Sequence, residues 1–154
     1  MSSLARVSRH SVIAQVVEAF SHRGTCYRAS VGAVLALDGR VLVTGYNGPP
    51  SGLPHCSVDC KALAATSGCT RAVHAEANAI AFAAKHGIKT EGTHLYCSFS
   101  PCLKCAELLI NAGVTQVTYT LPYRIQEGEV LLKEAGIDIM GLNDRLLQEE
   151  GLLP

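Results

Sequence analysis

Apolar side chains recur at Val12, Ile13, Val16, Val17 and Phe20, the three-and-four spacing of an amphipathic helix over residues 11–20, with Ser11 placed to cap it. From Val31 to Leu37 and from Val41 to Tyr46 the pattern changes to short β-branched runs. Asp38-Gly39 between them is a tight-turn pair, so the two runs predict an antiparallel hairpin. Periodicity then fades from Asn47 to Val73, a stretch that contains Gly-Pro-Pro-Ser-Gly and the thiols of Cys56, Cys60 and Cys69. A segment of that length without regular structure is normally functional or held by something.

Beyond it, helical and strand patterns alternate. The alanine-rich run His74 to His86 predicts a helix closed by Gly87. Thr93 to Phe99 reads as a buried strand, and Cys102 to Ala112 as a helix ended by Gly113. Val114 to Thr120 reads as a strand, Gly128 to Ala135 as a helix ended by Gly136, and Ile137 to Met140 as a short last strand. Strands alternating with helices of this length imply right-handed crossovers and a mostly parallel sheet, to which the hairpin adds an antiparallel pair. The expected fold is α/β: a three-layer α/β/α sandwich around a five-stranded mixed sheet, with a leading helix and all 154 residues in one domain.

Composition narrows the function. Hydrophobic residues make up 48% and aromatics 5%, with no Trp, so the core is built from Val, Leu, Ile and Ala. Thirteen basic residues balance thirteen acidic ones, and no Lys/Arg run stands out. Tracking a nucleic-acid strand demands a basic groove, so this neutrality favours a small substrate over long nucleic acid. Residues 1–10 hold no apolar stretch long enough for a signal peptide and no segment approaches a membrane span, which predicts a cytoplasmic protein without a membrane partner. Seven cysteines in a reducing compartment then read as metal ligands or core residues, and their odd number argues against complete disulfide pairing.

Two short segments carry the chemistry. His74-Ala75-Glu76 and Ser100-Pro101-Cys102-Leu103-Lys104-Cys105 together supply an imidazole, two thiols and a spare carboxylate. A His/Cys/Cys set leaves zinc a fourth position open, which is how catalytic zinc is held. Cys102 and Cys105, three apart at a helix start, share one face near the positive end of its dipole. Taken alone, the C-x-x-C equally fits a redox motif or half of a closed zinc site. Residues two apart on a regular helix do not share a face, so His74 and Glu76 converge only if His74 lies at the helix entrance. Zinc held by His74, Cys102 and Cys105, with Glu76 as the proton carrier, is the expected catalytic set.

H-x-E followed by P-C-x-x-C is the signature of the zinc-dependent nucleobase deaminases, and the chain resembles that superfamily. The predicted order of elements matches the cytidine deaminase-like fold. Three longer stretches, Val31 to Val34, Thr44 to Cys56 and His74 to Ile80, resemble the deoxycytidylate (dCMP) deaminase group, including its bacterial competence-operon and phage members. That resemblance implies conversion of dCMP to dUMP. It also implies that the Ala75 backbone N–H meets the base carbonyl, that the Ser100 carbonyl receives the amino group, and that Asn47 hydrogen-bonds the sugar. Flanked by glycines, Asn47 reads as readily as a turn residue. Tyr123 is a candidate for closing over the nucleotide. Arg124, with Lys104 and Arg28 behind it, is a candidate for the phosphate.

Some members of the group are regulated by dCTP and dTTP. By resemblance, Gly45, Tyr46, Asn47 and Gly48 would form that allosteric region, with Mg2+ accompanying a triphosphate, in a homo-oligomer that is a hexamer or a dimer. Several relatives carry a second, structural zinc at positions equivalent to Cys26 and Cys56. Here Cys26, Cys56, Cys60 and Cys69 form the candidate set, with His55 as a substitute ligand and free buried thiols as the alternative. Cys97 is expected in the core. Other functions compatible with these residues are deamination of a modified dCMP or another nucleobase, including tRNA adenosine, and a non-catalytic zinc-binding nucleotide sensor.

Overall fold

The computed structural model describes residues 6–57, 60 and 69–153. Its elements run α1 (Arg9–Ser21), β1 (Gly32–Leu37), β2 (Arg40–Tyr46), α2 (Ala75–His86), β3 (His94–Phe99), α3 (Leu103–Asn111), β4 (Gln116–Leu121), α4 (Glu127–Glu134), β5 (Asp138–Gly141) and α5 (Leu142–Glu149). The five-stranded sheet has the order β2-β1-β3-β4-β5. β1 pairs antiparallel with β2 and with β3, and β3, β4 and β5 are mutually parallel. The α/β/α expectation therefore holds.

Strand alternation sorts the core into two layers. Ala33 and Leu35 of β1 join Ala79, Ala83, Leu95, Ala106, Leu109, Val117 and Leu132 on the face covered by α2, α3 and α4. Val34 and Ala36 point the other way, against Ile13 and Val17 of α1, with Tyr96 beside them. Cys97 is buried in the first layer, as expected. Asp38 and Gly39 both take positive φ, 50° and 75°, which is the twist a two-residue hairpin turn needs. Gly87 ends α2 in the left-handed region at φ 66°, its N–H satisfying Ala83 and Ala84 carbonyls.

Two expectations need correction. α1 starts at Arg9, and its cap is Ser8, whose hydroxyl oxygen accepts from the His10 N–H and also donates to the Glu149 carboxylate. Ser11 lies within the helix because this earlier cap satisfies an orphan N–H first. The chain also does not end its regular structure with β5: α5 packs against α1, β4 and β5. Its inward residue is Arg145, 4% exposed, which bonds Thr118, Asp138 and Gln148.

Candidate active site

Helix geometry puts the two motif segments face to face. His74 is the N-cap of α2, with φ −69° and ψ 153°, and Asn78 N closes the first turn on its carbonyl at 2.9 Å. Being outside the helical dihedrals frees the imidazole from the spacing that would keep it off the Glu76 face. Cys102 is likewise the N-cap of α3, and Cys105 sits one turn in. His74 Nδ1 lies 3.5 Å from Cys102 Sγ and 3.5 Å from Cys105 Sγ. Among the described residues this is the only trio of His, Cys or carboxylate ligand atoms all within 4.8 Å of one another.

Those separations suit zinc. Tetrahedral ligands at about 2.3 Å (sulfur) and about 2.0–2.1 Å (nitrogen) from the metal stand about 3.6 Å apart. The electrostatics agree. Cys102 is held low, at about 4, first by the hydrogen bond from Cys105 and then by His74, while Cys105 is pushed up by that same bond and by burial. Two adjacent thiols thus share one negative charge, and a dication between them favours both as thiolates. His74 is raised, chiefly by its hydrogen bond to Cys102.

Glu76 is 5% exposed, and burial raises its carboxyl pKa above the usual carboxylate range. A carboxyl so poised holds and releases a proton closer to neutrality. It lies in the wall of a cavity of about 450 Å³ together with Asn47, His74, Ala75, Ser100, Cys102, Tyr123, Arg28 and Arg124. The structure therefore brings the expected catalytic and substrate residues to one cleft. Lys104 is not among them; it pairs with Glu107 on the exposed side of α3 at 2.9 Å.

Two of these side chains hold the cleft itself. Asn47 Oδ1 accepts from Val31 N at 2.9 Å and Nδ2 donates to Ala29 O at 2.8 Å, so its amide fixes the 29–31 backbone. Ser100 Oγ accepts from Tyr123 N at 2.8 Å and seats the β4–α4 loop beside the metal-ligand turn. That second bond joins residues far apart in sequence, and no local motif announces it.

Cys26, Cys56, Cys60 and Cys69 are half-buried free thiols. The Cys56 thiol is raised by burial and then by the charges of Cys60, Cys26 and Cys69. No three of them, among the described residues, come within 4.8 Å of one another. Cys69 Sγ accepts from Arg71 N at 3.3 Å and Ala72 N at 3.4 Å. Residues 58–59 and 61–68 of this loop lie outside the described residues.

A family described as the cytidine and deoxycytidylate deaminase zinc-binding region matches residues 7–121. The chain belongs to this deaminase family. The chain is 37% identical to the ComE operon protein 2 of Bacillus subtilis over 76% of its own length, and spans 62% of that relative. It is 38% identical to the deoxycytidylate deaminase of Mycobacterium phage D29 over 68% of its length, covering 88% of the phage protein. The dCMP deaminase of cyanophage S-TIM5, solved in complex with dCMP and dUMP, superposes with a TM-score of 0.78 at 31% identity, over 89% of this chain and 98% of that one. The family is zinc-binding, and the His/Cys/Cys trio supplies the matching donor set. No helix of the described residues is long and apolar enough to cross a membrane.

Proposed function

We propose that the chain is a zinc-dependent hydrolase that deaminates dCMP to dUMP. The observation that carries this reading is one cavity of about 450 Å³ that gathers His74, Cys102, buried Glu76 and two rim arginines, Arg28 and Arg124. Zinc bound by His74, Cys102 and Cys105 supplies a Lewis acid that brings the pKa of a water toward neutrality. The chain's own groups do the rest. Glu76 takes a proton from the water as its oxygen bonds to the amino-bearing carbon and passes it to the ring nitrogen beside that carbon; it then takes the second proton from the new hydroxyl and delivers it to the amino group, which leaves as ammonia as the C–N bond breaks and the carbonyl forms.

The Ala75 N–H, in the first turn of α2 and so without an intrahelical acceptor, donates to the base carbonyl. The Ser100 carbonyl accepts from the exocyclic amino group. Asn47, beyond its bonds to Val31 and Ala29, keeps one donor and one lone pair for the sugar. Arg124, with Tyr123 beside it, meets the phosphate at the rim. A lone phosphate needs one such contact, which a chain of net charge +0 supplies without a basic groove.

We further infer a second zinc at Cys26, Cys56, Cys60 and Cys69. The charges of Cys26, Cys60 and Cys69 that reach Cys56 support it, as does Cys69 Sγ already acting as an acceptor for two backbone N–H groups. Regulation by dCTP and dTTP with Mg2+ is supported by a cavity of about 800 Å³ beside Tyr46 and Gly48, lined by Arg23, Lys85 and the mutually tilted Phe82 and His86 rings. Cations for phosphates and rings for a base suit a nucleoside triphosphate.

Ammonia release from a panel of cytosine, adenine and guanine nucleotides tests the activity. Release from dCMP is expected. Release only from a purine, or none from any member of the panel with zinc bound, contradicts the proposal.

A further inference from the structure

The two helix N-termini that carry the ligands are each closed upon by backbone that leaves no space for a side chain. β2 runs against the first turn of α2: a Cβ added at Gly45 would overlap the Ala75 carbonyl oxygen and stand 2.8 Å from the Ala79 nitrogen. Ala75 lies between His74 and Glu76. At the other helix, α4 closes on the turn before α3. A Cβ added at Gly128 would overlap the Pro101 carbonyl oxygen and stand 2.8 Å from the Cys102 carbonyl carbon. In both places the obstacle is main chain, which has no rotamer to swing away. Space, not backbone dihedral, is what demands glycine, since neither residue has a positive φ.

We propose that Gly45 and Gly128 are positioning residues for the metal. By letting β2 and α4 rest directly on the ligand-bearing turns, they set the distance between His74 and the Cys102/Cys105 pair. This rests on those three residues being the zinc ligands. Carbon atoms settle about 3.5 Å or more from their neighbours, so a methyl group at either position needs a retreat of at least about 0.7 Å. Metal sites tolerate about 0.2 Å in ligand distance. The shift is therefore several times larger than the site accepts. Groups that orient metal ligands typically alter metal affinity by about 10- to 100-fold when replaced.

The β2–α2 seam has a second fastener in Asn78, whose Nδ2 donates to Tyr46 O at 2.7 Å. Asn78→Ala loosens the same seam without adding an atom. Gly32 supplies the control. A Cβ there would overlap the Val17 carbonyl oxygen and stand 2.9 Å from Ser21 N, an equally tight contact, but with α1 on the face that carries no ligand.

The test compares the wild type with Cys102→Ser, Gly45→Ala, Gly128→Ala, Gly32→Ala and Asn78→Ala. Zinc affinity is read by chelator competition, ligand geometry by the visible spectrum of the Co2+-loaded protein, and stability by urea unfolding. The share of bound metal that Cys102→Ser loses defines the site. Gly45→Ala and Gly128→Ala are expected to bind that metal about 10- to 100-fold more weakly, with an altered cobalt spectrum. Gly32→Ala should lose stability yet bind metal as the wild type does. If Gly45→Ala does not fold, Asn78→Ala reports on the same seam, and weakened binding is again expected. Wild-type affinity and spectrum in Asn78→Ala and in every folded variant of Gly45 or Gly128 overturn the proposal. Metal binding by Cys102→Ser equal to that of the wild type overturns the ligand assignment instead.

Discussion

Acid should destabilise this protein through one histidine on the face away from the candidate metal site. His94, at the start of β3, stacks on Tyr96 with ring centroids 4.1 Å apart, and its Nε2 lies 2.7 Å from Thr118 Oγ1. Arg145 Nε donates to that same oxygen at 3.2 Å. An arginine only donates, so the Thr118 hydroxyl hydrogen is available to His94 Nε2 when that nitrogen is unprotonated. Burial, then the Arg145 charge and His10, lower the His94 pKa to about 3 from an ordinary 6.5, against a small opposing pull from Asp138. His10 is lowered too, first by burial, and bonds the Tyr96 hydroxyl at 2.7 Å; Glu149 opposes and Arg9 and Arg145 add to the shift.

Between pH 6.5 and 3 the unfolded chain therefore binds a proton at residue 94 that the folded chain refuses. Stability falls as pH drops, by about 1.4 kcal/mol per unit, or about 2 kcal/mol from pH 7 to pH 5. That is a large part of the ~5–15 kcal/mol that holds a typical domain folded. Urea unfolding at pH 7 and pH 5 of the wild type and of His94→Gln measures it. Metal loss in acid affects both proteins and cancels in the comparison. The glutamine variant should lose about 2 kcal/mol less on acidification. Equal losses in the two proteins would refute the assignment of His94 as a neutral, proton-refusing group.

Three other outcomes follow from the site. Glu76→Gln should keep the catalytic zinc, by metal analysis, and lose about 10²–10⁴-fold in kcat, because in the proposed mechanism the carboxylate moves protons and does not bind metal. Ser100→Ala removes the bond that seats Tyr123 N; at about 0.5–1.5 kcal/mol this should raise KM for dCMP by roughly 2- to 12-fold with zinc content unchanged. Cys69→Ser should lower zinc content from about two to about one per chain and cost stability, since binding energy of a structural metal is folding energy; a single zinc in both proteins would sink the second site.

The candidate site is legible in the sequence because its motifs are local. His74 and Glu76 are two residues apart, Cys102 and Cys105 three, and both pairs open helices whose starts follow from glycine and alanine patterns. Elements hidden from the sequence owe their form to distant partners. α5 hides because its inward position is Arg145, a charge that a periodicity search assigns to solvent, here neutralised by Asp138 at 2.6 Å. The start of α1 is not legible in the sequence, because Ser8 and Ser11 both suit a cap and the bond from Ser8 to Glu149 ties the true one to the far end of the chain. In the sequence Gly45 reads as part of a candidate effector motif, whereas its contact with Ala75 and Ala79 exists only once β2 packs on α2. Of the phosphate candidates, pattern alone could not separate Lys104 from Arg124; the difference is that Lys104 points off α3 toward Glu107.

The central claim is that the cavity bounded by Glu76 and the rim arginines takes the nucleotide dCMP. Its most direct test is kcat/KM for dCMP against deoxycytidine at fixed ionic strength, with and without dCTP and Mg2+. One charge-assisted phosphate contact is worth about 1.5–3 kcal/mol, so dCMP should be favoured by roughly 10- to 100-fold or more. Deoxycytidine turned over as efficiently as dCMP under both conditions would contradict the account, even with the zinc and Glu76 in their expected roles.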